Sequence, residues 1–248
     1  MAKLTRISAI LFSAALVLGL PCAARAYPLG TVEIVNTGNA ANETVSVWGG
    51  GQDGLAVYAG VYTFDKTAGT GEGKLWPDSR VSAFCTELSE MVPEITTKYD
   101  VIPLEMGPLS EVMGTAKAGY ISELWGRYYD PSWTSDGPYT WQQNSEAAAF
   151  ATAIWEIIYE DLPASPLKWD VKVDGSWGSL GFSTDFGGSS IANKWLHSLD
   201  GTGPMAELRV FSYNGSQDYI AQVPEPATLA LLGLGSTLSL LRRRRNAK

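Results

Sequence analysis

Asn144-Ser145-Glu146-Ala147-Ala148-Ala149-Phe150-Ala151-Thr152-Ala153-Ile154-Trp155-Glu156-Ile157-Ile158-Tyr159 reads as a helix in a chain that otherwise begins and ends in strand patterns. Asn144 or Ser145 can cap its start, and Ala147, Phe150, Ala151, Ile154, Ile157 and Ile158 recur at spacings of three and four, which makes one buried face. Just before it, residues 112–129 place Met113, Ala116, Tyr120, Leu124 and Tyr128 on one helical face. Asp130-Pro131 and Ser135-Asp136-Gly137-Pro138 break the chain between the two helices. A third helix is predicted over 189–199, stopped at Gly201.

Working outward, the period changes from three-and-four to two. Thr31-Val32-Glu33-Ile34-Val35 and Thr44-Val45-Ser46-Val47-Trp48 alternate and are β-branched, and the second ends in Gly49-Gly50-Gly51. Residues 55–64 predict another strand, with Gly60 inside it marking a bulge or a close backbone approach. A turn at 69–73, a strand at 80–86 carrying Cys85 and a short strand at 98–102 complete the first part. After the helices, residues 206–213 and 217–223 flank Asn214-Gly215, a hairpin signal. Strands, then helices, then strands give an α+β class: a β-sandwich or barrel-like sheet framework with a helical insertion at about 110–200.

Both ends carry targeting patterns. Lys3 and Arg6 precede an apolar run over 7–20, and Ala24-Arg25-Ala26 is a small-x-small site, so 1–26 reads as a signal peptide cleaved by signal peptidase between Ala26 and Tyr27. Cys22 leaves with it. Cys85 is then the one cysteine of the mature chain, which excludes an internal disulfide. At the other end stand Val223, Pro224, Glu225 and Pro226, an apolar run over 227–241, and Arg242, Arg243, Arg244 and Arg245. The run is short for a permanent span, which takes about 20 apolar residues, and the arginines hold their end on the cytoplasmic side. The extracellular domain is therefore expected over 27–222 and a transiently membrane-anchored tail, with a transmembrane helix over 227–241, over 223–248.

The tail resembles the PEP-CTERM sorting signal of proteins exported by Gram-negative, exopolysaccharide-producing bacteria. All three parts match in order: Pro224-Glu225-Pro226, the apolar segment and the terminal arginines. The resemblance implies that an exosortase, a membrane-bound cysteine protease, recognises the tail and removes it, releasing the protein to the cell surface or the extracellular space.

Phe84-Cys85 and the helix from Ala147 to Ile157 resemble a second family, the thioester domains of bacterial surface proteins. Those domains pair a strand cysteine with a helix motif Thr-Gln-x-Ala-Ile-Trp, and a relative with a PEP-CTERM tail reads Phe-Gln-x-Ala-Ile-Trp-Glu. The closing residues 214–223, with Ser216-Gln217-Asp218, look like the end of such proteins, so the resemblance runs from about Tyr58 to the C-terminus. It implies a cysteine sulfur joined to a glutamine carbonyl. The motif's glutamine position is Ala151 here, which has no carbonyl, so no cross-link forms between Cys85 and residue 151. Gln142 and Gln143 lie two turns earlier and need a different geometry. Cys85 is accordingly expected as a free thiol packed like a small apolar residue, Trp155 in the core, and Glu156 on the solvent side or at the helix edge.

No catalytic residue, cofactor or metal site is expected. His197 is the sole histidine and has no nucleophile near it in sequence. Asp170, Asp174 and Gly175 lack the alternating ligands of a calcium loop and read as a turn. Glu87, Glu90 and Glu94 read as a solvated face, although opposed carboxylates there would suit glycoside hydrolysis. Trp125, Tyr128, Tyr129, Trp133, Tyr139 and Trp141 form a dense aromatic stretch, with Trp133 and Trp141 the candidate glycan contacts against a packing role.

Charge narrows the partners. The full chain has 18 basic and 26 acidic residues. Removing Lys3, Arg6 and Arg25 with the signal, and Arg242 to Arg245 and Lys248 with the tail, leaves 10 basic against 26 acidic, a net −16. Such a surface repels nucleic acid. The expectation is a non-catalytic exopolysaccharide- or biofilm-associated structural protein or adhesin. The alternatives are a carbohydrate-binding module, a covalent thioester adhesin or a secreted glycoside hydrolase.

Overall fold

The structure is a computed structural model that describes residues 28–110, 112–174 and 181–225. The signal segment, its cleavage site at Ala24, Ala26 and Tyr27, and the tail from Pro226 through the apolar run and the arginines lie outside the described residues.

In chain order the elements are β1 (Gly30–Gly49), β2 (Gln52–Gly71), β3 (Arg80–Cys85), β4 (Thr97–Pro103), α1 (Gly114–Tyr128), α2 (Trp141–Tyr159), β5 (Phe182–Thr184), α3 (Ser189–His197), β6 (Leu208–Tyr213) and β7 (Ser216–Gln222). All strand pairs are antiparallel, and they run β1–β2–β3–β7–β6–β4 and back to β1. Six strands thus close on themselves, which leaves those pairings without an open edge. The β-framework with its helical insertion between β4 and β6 agrees with the sequence reading.

Side chains alternate across each strand, so the ring has an inner and an outer face. Inside, Tyr219 packs against Tyr62, Phe64 and Tyr99 at ring-centroid distances of 5.6, 4.7 and 5.9 Å. Outside, Phe84 on β3 meets Phe150 of α2 at 4.9 Å and Trp125 of α1 at 5.4 Å. β3 is therefore covered on both faces, which is why Phe84 and Cys85, neighbours in sequence, are both buried.

Four features differ from the sequence reading. The two early strands are one, because β1 crosses the polar stretch between Asn36 and Asn42 by register shifts rather than turning. Gly60 sits opposite that irregularity with φ of 144°, and a Cβ there would stand 2.3 Å from the Ala41 carbonyl oxygen. Second, α2 starts at Trp141: Thr140 accepts from the Gln143 amide, and the Gln143 side chain accepts from the Thr140 N–H, a capping box. Asn144, expected as a cap, instead accepts from the Asn42 amide at 3.1 Å. Third, α2 is not one-faced. From Ala147 to Tyr159 every residue is buried, because β1, β2, α1, α3 and β5 surround it. Glu156, expected at the solvent side, is consequently 2% exposed. Fourth, β5 adds three residues against Val47–Gly49 that no pattern announced. Among the described residues no helix is long and apolar enough to cross a membrane.

Candidate functional site

Cys85 ends β3, and the ring's narrowest seam places it beside β7: Phe84 pairs with Ile220 and Cys85 with Tyr219. Gln217 lies two residues before Tyr219, hence on the same face as Cys85. The Cys85 thiol donates to the Glu87 carbonyl oxygen at 3.1 Å, and Gln217 Nε2 donates to that same oxygen at 3.1 Å. Gln217 Oε1 is buried without a hydrogen-bond partner. The loop carrying this shared acceptor is held by α2. Trp155 Nε1 donates to the Cys85 carbonyl at 3.0 Å, and the Tyr159 hydroxyl accepts from the Leu88 amide at 2.9 Å. The expected core role of Trp155 is thus joined to a positioning one.

Cys85 and Gln217 line a cavity of about 310 Å³ whose wall includes Leu55, Tyr58, Met91 and Trp155. Leu55, Tyr58 and Met91 are exposed at its mouth. Burial pushes the Cys85 thiol up to about 12, so it is a thiol at neutral pH. Burial also raises Glu87, and raises Asp218 to about 6 although it accepts from the Leu109 and Tyr213 amides and the Ser212 hydroxyl. The Tyr62 hydroxyl, itself raised by burial, lies beside Gln217 and donates to the Tyr58 carbonyl at 3.3 Å. Chemically, the site holds a protonated thiol and a carboxamide on one backbone oxygen at the wall of the cavity.

The other sequence candidates separate. Ala151 is fully buried in α2. Trp133 and Trp141 do not form one aromatic surface: Trp133 is 1% exposed and packs on Tyr129 and Phe150, whereas Trp141 is 78% exposed at the start of α2. Glu87, read as part of a solvated face, is 3% exposed, while Glu94 is exposed. His197 Nε2 donates a hydrogen bond to the Trp169 carbonyl at 2.7 Å, which ties α3 to the chain before β5. Asp170 does form a turn, its carboxylate accepting from the Lys172 amide and from Asn193. Among the described residues no three His, Cys, Asp or Glu side chains are grouped to hold a metal ion. Gln217 was missed as a site residue. Its only sequence signal was its place in Ser216-Gln217-Asp218 after the hairpin turn, and its partner is 132 positions away in the chain.

The sorting tail starts where the ring stops. β7 ends at Gln222, and the Val223 amide donates to the Glu207 carbonyl at 2.9 Å as the last backbone bond before Pro224 and Glu225. Residues 222–245 match the protein-family profile described as the PEP-CTERM protein-sorting motif. The chain thus carries the signal of an exported protein that is anchored transiently at the membrane and processed by an exosortase. The PEP-CTERM match does not reach Cys85 or α2, and no curated protein and no solved structure matches the chain.

Proposed function

We propose that the mature protein is a non-catalytic adhesin or structural component of the exopolysaccharide-rich cell surface or biofilm matrix, attached through an internal thioester between Cys85 and Gln217. The observation that carries this reading is the shared Glu87 acceptor, which brings the thiol and the carboxamide together in one cavity. Formation is balanced without a co-reactant. The sulfur attacks Gln217 Cδ, the S–H proton passes to the departing nitrogen, and ammonia leaves. A surface amine reaching the cavity mouth then attacks the same carbon, forming an amide and returning the Cys85 thiol. The resemblance to thioester domains pointed to residue 151 for the glutamine; the geometry supports Gln217 in its place. The aromatic glycan surface has less behind it, since only Trp141 of the two candidate tryptophans is exposed.

Intact mass of protein recovered from the native host's medium and cell surface tests this, before and after thiol alkylation under unfolding conditions. The expected product runs from Tyr27 to near Pro226, is lighter by one ammonia, and has Cys85 blocked to iodoacetamide until hydroxylamine is added. A full-mass chain with Cys85 alkylated on unfolding, in protein never exposed to amines, would overturn the thioester. It would leave a non-covalent surface role. Retention of Arg242 to Arg245 would overturn processing of the tail.

A further inference from the structure

β1 and β2 are each 20 residues long, whereas the other strands of the ring have six or seven. Their far halves therefore run beyond the ring as a two-stranded arm. The outer side of β1 is covered there. β5 pairs with Val47–Gly49, and Ser46 donates to Asp185 Oδ1 at 2.7 Å and accepts from the Asp185 amide at 3.2 Å. The outer side of β2 differs. β3 pairs with it only from Val61 to Asp65, and among the described residues no strand pairs there over 52–60. Because Ser46 turns its backbone groups away from β2, its partner Ala56 turns its own away from β1, and Tyr58, two residues on, does the same. Among the described residues no hydrogen bond meets the Ala56 N–H or C=O, or the Tyr58 N–H.

The side chains of this edge suit a guest as well. Leu55 and Tyr58 are 43% and 54% exposed, and Met91, 82% exposed, lines the Cys85 cavity with them. Edge strands open to water are ordinarily blunted by lysine or proline, and residues 52–60 contain neither. β3 leaves β2 after the Val61–Phe84 pair, and Cys85 turns to β7. A strand added to β2 takes the line that β3 vacates, beside the mouth of that cavity. Backbone donors and acceptors repeating every two residues are matched by another extended polypeptide, and not by a sugar, whose hydroxyls have no such repeat. Charge narrows the choice. Glu90 is the one charged residue lining the cavity, Asp53 the one on the edge, and the mature chain is net −16. A second copy of this chain brings like charge against like, whereas a basic segment is attracted.

We infer that the outer edge of β2 over 53–60 binds an extended, basic segment of a partner polypeptide as an added strand. The inference goes beyond the thioester reading, and its test removes that chemistry so that the two can fail separately. Processed Cys85→Ala protein from the native host would be titrated, by fluorescence anisotropy, with a labelled peptide of alternating valine and threonine that carries a lysine at each end. That peptide is expected to bind at least about tenfold more tightly than its fully N-methylated form, which has no backbone donor for an edge. Glutamates in place of its lysines should weaken it by a similar factor. Ala56→Pro removes an outward donor, and Tyr58→Lys sets a positive charge beside the guest. Each should weaken binding at least about tenfold. Circular dichroism shows whether each variant stays folded, and Tyr58→Lys decides the matter if Ala56→Pro does not. Equal binding of the N-methylated peptide would overturn the added strand, and equal binding of the glutamate peptide would overturn the basic partner. Peptide binding unchanged in a folded variant would place the guest elsewhere. A chitosan oligomer that binds where the peptide fails would make the partner a glycan. A dimer in light scattering that Tyr58→Lys dissociates would give the edge to a second copy. No binding of the peptide would also overturn the inference.

Discussion

A carboxyl group kept from water without a cation beside it holds its proton to high pH, and Glu156 is such a group. Burial first, then the neighbouring carboxylates of Glu160, Asp170 and Asp174, raise it to about 9. In the unfolded chain it would titrate near about 4.3. The folded state therefore binds this proton more tightly than the unfolded state does. The resulting stability is fully present below the unfolded value and drains away as pH rises towards 9, at up to about 1.4 kcal/mol per pH unit. Glu156→Gln keeps the shape and removes the titration. Urea unfolding at pH 5 and pH 8 should show the variant gaining on the parent by up to about 4 kcal/mol across that interval. Asp218, raised to about 6 by burial, acts in the same direction, but it is present in both proteins and cancels. A gain independent of pH would mean that Glu156 is ionised in the folded protein.

At the scale of elements, α2 and the link before it decide which aromatics hold the fold. Trp133 sits among Tyr129, Phe150 and Trp195 where the link meets α1, α2 and α3. Trp133→Ala leaves a cavity there and should cost about 3–5 kcal/mol. Trp141→Ala, on the exposed first turn of α2, should stay within about 0.5 kcal/mol. Thermal or denaturant unfolding of the two variants separates them, and equal small losses would return Trp133 to the surface. The helix itself was legible in the sequence because its apolar residues are dense and two breaker clusters precede it. Its start was not, because Thr140, Asn144 and Ser145 are all capping residues, and only Gln143 three positions after Thr140 distinguishes the true cap. Its full burial was not legible either, since a helix with one evident apolar face gives no sign that its other face, Glu156 included, will also be covered. The long β1 was hidden for a related reason. Asn36, Gly38 and Asn39 have turn chemistry, and the register shifts that absorb them exist only once β2 is alongside.

For the whole molecule, closure of the strand ring does two things at once. It brings Cys85, near the end of the first run of strands, beside Gln217 on the last strand, a contact between remote parts of the chain that periodicity cannot reveal. It also places the exit of the sorting tail directly after that last strand, where a motif could be read from local residues alone. The tail was legible for that reason and the glutamine was not. The same topology predicts where cutting is harmless. The strand bonds end at Gln222, and the Val223 amide adds one more to Glu207, whereas the described Pro224 and Glu225 donate no backbone hydrogen bond to the ring. Removal of everything after Pro226 should therefore leave unfolding unchanged within about 0.5 kcal/mol. Ending the chain at Gly215 deletes β7, opens the ring between β3 and β6, and removes Tyr219 from the inner cluster, so that product should not fold cooperatively. Thermal unfolding of chains ending at 226 and at 215 reads the difference. A destabilised chain ending at 226 would mean that the tail packs on the domain, and exosortase cleavage would then alter the folded protein as well as release it.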